Sequence, residues 1–247
     1  MTVSDVASPL RRPGLLAAAL SLVLGAGGCG GLKRGQNANL VAGKQAFVAK
    51  CGSCHVLSRA STKGITGPNL DDAFGQSLVN GLKRDTIRTV VHGQMLDPNP
   101  GGAMPRNLVR GRTVDDVAAY VAQSVDRSGP DTGLLASAVA APGAGKPAVE
   151  SGGVLAINAD PSGQLAYVTK QASAKTGAVT VTMKNMAPVP HNIAIQQGAS
   201  GSVLGASPTV QGATASVKVN LAPGTYTYFC QVPGHRDAGM LGTITVK

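Results

Sequence analysis

The chain has 247 residues, enough for two ordinary domains once a leader is set aside. Trp is absent and aromatic residues make up 3%, so the cores must be built from Val, Leu, Ile and Ala. The net charge of +10 comes without a Lys/Arg block or interleaved aromatics, which argues against nucleic-acid binding. It leaves solubility, or attraction to anionic headgroups or an acidic partner.

Residues 1–29 read as an export signal: Arg11 and Arg12 are followed by an apolar run from Leu15 to Leu24, short for a bilayer span. Ala26-Gly27-Gly28-Cys29 resembles a bacterial lipobox, although Ala26 stands where Leu is usual. The resemblance implies that Cys29 is lipidated, becomes the N-terminus and holds the protein on the outer face of the bacterial cytoplasmic membrane, on its periplasmic or extracellular side. Ordinary cleavage to a soluble protein and an uncleaved anchor are the alternatives. Residues 30–38 read as a polar tether.

A helix is expected from Asn39 to Lys50, where Leu40, Val41, Phe47 and Val48 recur at helical spacing. It runs into Cys51-Gly52-Ser53-Cys54-His55, a C-x-x-C-H attachment signature for haem c. The two thiols can add across the haem vinyl groups, and the histidine then supplies an axial nitrogen. A C-x-x-C pair also serves as a redox dithiol or half a zinc site. Here the βαβ context of the first and the second ligand pair of the other are missing. Gly67-Pro68-Asn69-Leu70 follows. Asp85 reads as an N-cap for Thr86 to His92 with Gly93 as the stop, and Thr113-x-x-Asp116 reads as a capping-box start for a last helix carrying Val114, Val117, Ala118, Val121 and Val125.

With Gly-Pro-Asn-Leu, Gly101-Gly102-Ala103-Met104-Pro105 and the flanking helices, residues 39–127 resemble a class I cytochrome c domain. The resemblance implies an all-α fold in which the first and last helices cross, with Gly43 and Phe47 near Tyr120. It implies Met104 as the distal iron ligand, with Met95 and His92 as rivals. It also implies a Pro68 carbonyl that accepts a hydrogen bond from His55 and fixes its tautomer.

Residues 128–153 are rich in Ala, Gly, Pro and Ser and read as a linker. As a flexible coil such a stretch would span roughly 25–30 Å. From Val154 to Lys247 the period becomes two: Val179, Val181 and Met183 alternate with polar residues, as do Val217, Val219 and Leu221, which predicts an all-β sandwich. This half holds His191-Asn192 and then Cys230, His235 and Met240 at C-x4-H-x4-M spacing. A thiolate, two imidazoles and a weak thioether are the ligand set of a blue-copper electron-transfer site.

The C-terminal stretch resembles the cupredoxins, with ligand spacing nearest the rusticyanin and auracyanin group. The resemblance implies a Greek-key sandwich with copper at one end, held by His191, Cys230, His235 and Met240, and an Asn192 that ties the two ligand-bearing segments together. The four cysteines all have uses other than a disulfide. The whole chain therefore reads as an electron-transfer protein, not an enzyme, with one haem c and one type 1 copper. Its partners would be redox proteins of a respiratory chain, with a lipid anchor in the membrane, no nucleic acid and no small-molecule substrate. An electron-entry subunit of a larger oxidoreductase, such as a terminal oxidase or a nitrogen-oxide reductase, and a copper-delivery protein are the other readings.

Overall fold

A computed structural model describes residues 37–247; the stretch read as an export signal, Cys29 and most of the stretch read as a tether lie outside the described residues. The N-terminal part is a helical lobe of α1 (Leu40–Lys50), α2 (Leu70–Val79), α3 (Arg84–Leu96) and α4 (Arg112–Ser124). A short ribbon of β1 (Val56–Leu57) and β2 (Thr62–Lys63) lies between α1 and α2. Phe47 and Val48 of α1, Leu57, Ile87 of α3, and Val117, Ala118, Tyr120 and Val121 of α4 share one apolar core.

α1 and α4 approach closely because Gly43 has no side chain: a Cβ there would run into the Asp116 carbonyl and lie 2.9 Å from the Tyr120 Cβ. Phe47 and Tyr120 pack with ring centroids 6.3 Å apart. Helix α1 starts at Asn39, whose side chain accepts the Ala42 N–H.

Three helix boundaries differ from the sequence reading. Asp116 does not cap its own helix, which begins at Arg112 after Gly111; its carboxylate accepts the Asn39 N–H at 2.7 Å and so caps α1. Asp85 lies in the first turn of α3 rather than at its N-cap, and α3 continues through Gly93 to Leu96, burying Met95. Helix α2 was not anticipated; Asn69 is its N-cap, with Asp71 and Asp72 in the first turn, where carboxylates favour the helix dipole.

After α4 the chain runs along α1. The buried carboxylate of Asp131 accepts the Tyr120 hydroxyl at 2.8 Å and pairs with Lys44 at 3.1 Å and Arg59 at 3.5 Å. Lys44 also donates to the Leu135 carbonyl at 2.7 Å, and Gln45 to that of Ala138 at 3.0 Å.

Nine further strands follow: β3 (Ala148–Val149), β4 (Val154–Ala156), β5 (Gln171–Ala174), β6 (Gly177–Asn185), β7 (Ala194–Gln197), β8 (Val203–Ala206), β9 (Ala213–Leu221), β10 (Gly224–Phe229) and β11 (Leu241–Val246). They form a six-stranded sheet in the order β3-β5-β11-β10-β7-β8 and a three-stranded sheet in the order β4-β6-β9. Alternate residues of the long strands point inward, so Val179, Val181 and Met183 of β6 meet Ile193, Ile195, Tyr228 and Ile244 in a second core. The chain changes sheet repeatedly, for the last time between Leu221 and Gly224. Among the described residues no helix is long and apolar enough to cross a membrane.

Candidate metal centre and apolar cavity

Two neighbouring strands of the larger sheet bring one donor set together. His191 lies just before β7, in a bridge where its N–H and carbonyl both pair with Val210. Cys230 directly follows β10, the neighbour of β7, and the chain then turns through His235 and Met240 into β11. The turn is fastened by its own backbone: Cys230 N–H donates to the Met240 carbonyl at 3.1 Å, and Met240 N–H to that of His235 at 2.9 Å. Met240 is fully buried.

The Cys230 Sγ lies 3.5 Å from His235 Nδ1 and 3.9 Å from His191 Nδ1, and the two ring nitrogens are 3.1 Å apart. All three donor atoms fall within 4.8 Å of one another, so one ion could meet them all. Asn192 joins the two segments in both directions: its side chain accepts the Gln231 N–H at 2.7 Å and donates to Gln231 Oε1 at 2.9 Å. Its carbonyl in turn accepts the Tyr167 hydroxyl at 2.6 Å.

The electrostatics suit a bound cation better than bound protons. Burial raises the Cys230 thiol pKa, while the backbone N–H groups of Asn192 and Val232 point at the sulfur and favour a thiolate. Burial, followed by repulsion from His235, lowers His191 to about 4. Its Nε2 is buried with no partner, so protonating the ring would strand a charge. Burial also lowers His235. A soft sulfur and two neutral imidazoles, held before any metal arrives, fit copper.

Sequence reasoning missed Tyr167 and Gln231. Gln231 carried a weak signal, its place right after Cys230; Tyr167 carried none, since it meets Asn192 only through the fold.

The helical lobe contains a cavity of about 430 Å³, within the range of cofactor sites. Cys51, Cys54, His55 and Pro68 line it together with Met95 and Met104. His55 Nδ1 is 2.8 Å from the Pro68 carbonyl, which can only accept, so Nδ1 carries the proton and Nε2 is left as a ligand atom. Gly67 packs on that ring, where a Cβ would be 2.5 Å from Cε1. Burial and the neighbouring Cys54 push the Cys51 thiol up to about 12, which disfavours a reactive dithiol. Two thiols and an oriented histidine at the wall of an apolar cavity fit a covalently attached haem. The structure places Met95 and Met104 on this cavity but not His92, which faces Asp115 at 3.4 Å.

The family of copper-binding proteins of the plastocyanin/azurin type matches residues 155–247. Over 92 residues the chain is 36% identical to chloroplastic plastocyanin of Hordeum vulgare, covering 34% of this chain and 57% of the relative. It thus spans little more than half the length of that curated relative. It is similar to dithionite-reduced auracyanin of Roseiflexus castenholzii at 27% identity with a TM-score of 0.36, over 40% of this chain and 99% of that one. It is similar to reduced rusticyanin at 20% identity with a TM-score of 0.32, over 41% and 84%. The family match and the His–Cys–His cluster support a cupredoxin-type, copper-binding domain over residues 155–247; the cupredoxins are electron carriers, not enzymes.

Proposed function

We propose that the protein is an extracytoplasmic electron carrier with one covalent haem c and one type 1 copper, passing single electrons between redox proteins of a respiratory chain. The observation that carries this reading is the pairing, in one chain, of the His191–Cys230–His235 cluster with an apolar cavity walled by Cys51, Cys54 and His55. Haem iron and copper each supply one-electron exchange when bound.

The chain's own residues keep both sites fixed. Cys51 and Cys54 would hold the haem covalently, and His55, through Nε2, and Met104 would ligate its iron. His191, Cys230, His235 and Met240 would hold the copper. Asn192 and the fastened turn resist rearrangement when the charge changes, and the apolar cavity excludes water.

Purified protein should carry one haem that survives acid–acetone extraction and one copper. Met104→Ala should convert a low-spin haem spectrum into one that binds added ligands; if Met95→Ala does so instead, Met95 is the ligand. Anchoring rests on Cys29: a lipidated chain is held at the outer face of the membrane. Cys29→Ala should move the protein from the membrane to the soluble fraction, and an unchanged distribution would point to an uncleaved helix.

A further inference from the structure

The turn just before His235 touches the helical lobe. A Cβ on Gly234 would lie 2.6 Å from Cδ1 and 3.1 Å from Cγ1 of Ile65. Gly234 has φ +79, so the positive dihedral and the close approach both call for glycine. Ile65 belongs to the loop that follows the C-x-x-C-H turn. It is 71% exposed and takes no part in the helical core, so packing within its own lobe does not explain it.

The residues after Ile65 lead straight to the cavity histidine. Thr66, Gly67 and Pro68 line the cavity, Gly67 N–H donates to the Cys54 carbonyl at 2.8 Å, and the Pro68 carbonyl accepts from His55 Nδ1 at 2.8 Å. From His235 to His55 the connection is therefore covalent backbone, interrupted by one van der Waals contact and one hydrogen bond. A second contact steadies it: Gly163, with φ +88, packs on Ala49, where a Cβ would be 2.8 Å from the carbonyl oxygen, two residues before Cys51.

We infer that Ile65 bridges the copper-ligand turn to the haem-binding loop, so that the immediate redox partner of the copper centre is the haem of the same chain. This rests on the proposed function. The step is one electron leaving Cu(I), which becomes Cu(II), and reducing Fe(III) to Fe(II), or the reverse, with no bond made or broken. Tunnelling falls steeply with distance and crosses bonded and touching atoms more readily than gaps. A side chain that closes the one link without a bond or a hydrogen bond sets the rate.

Two measurements on the full chain test it. In fully reduced protein as purified, a nuclear Overhauser contact is expected between an Ile65 methyl and the Gly234 α-protons, and its absence overturns the inference. In loaded protein, flash reduction of the haem followed at the copper band should show transfer at a rate independent of dilution. Ile65→Ala should slow this transfer at least tenfold with both spectra unchanged, and Ile65→Leu should restore it. Ile65 lies outside the core, so both variants should fold. A rate that falls with dilution, or one that Ile65→Ala leaves unchanged, overturns the inference. Failure of haem or copper to bind while the methyl contact is present would overturn the functional reading instead.

Discussion

Cys230 is the residue on which the copper site turns, because a thiolate gives Cu(II) an intense visible charge-transfer band that a hydroxyl cannot. Cys230→Ser should abolish that band and leave the haem spectrum intact, measured on one sample. Asn192→Ala should leave the Gln231 N–H and side-chain oxygen without their partner. That loss costs about 1–3 kcal/mol, read as a lower denaturation midpoint for the β domain. His191 makes copper-free protein sensitive to acid. Its ring is neutral in folded and unfolded chains above the ordinary value of 6.5, and only the unfolded chain takes a proton between 6.5 and about 4. Stability should therefore fall through that window and level off below it, by a total on the order of 3 kcal/mol. Urea titrations at several pH values would show it, and a flat profile from pH 6.5 to 5 would contradict it.

At the scale of elements, the contact of α1 with α4 depends on Gly43. Gly43→Ala would drive a methyl group into the Asp116 carbonyl and should cost about 1–3 kcal/mol of helical-lobe stability by thermal melting. An unchanged melt would mean that the helices part freely. Helices α1 and α4 were legible because their apolar residues recur at helical spacing and are buried together. Helix α2 was passed over although Leu70, Phe74 and Leu78 recur four residues apart and pack against the core, because that contact leaves none of them fully buried. The stop read at Gly93 failed because glycine costs a helix only about 1 kcal/mol, which burial of Met95 can offset. Alternation marked the long strands β6 and β9, but no local pattern marks the parallel pairing of β5 with β11 or of β4 with β6. The copper donors were legible because three of them share one short C-terminal stretch. Tyr167, Ile65 and Gly163 act only through contacts made by the finished fold.

At the scale of the whole molecule, the described residues form two apolar cores with no residue in common, one among the helices and one between the sheets. Each half therefore carries its own cooperative burial, and calorimetry should resolve two transitions. Copper binds only the folded β domain, and at a thousandfold excess over its Kd it stabilises that domain by about 4 kcal/mol. Each kcal/mol moves the melting temperature of a domain of this size by roughly 4–8 °C. Removing copper should therefore lower the β transition by well over ten degrees and leave the helical one in place. Asp131→Ala should do the reverse. It leaves the buried Lys44 ammonium without its carboxylate and frees the Tyr120 hydroxyl, a loss of about 3–5 kcal/mol confined to the helical lobe. A single transition that moves with both perturbations would show that the contacts at Ile65 and Gly163 fuse the halves into one cooperative unit. Two transitions that move independently would show that those contacts set the approach of the two sites while each half folds on its own core.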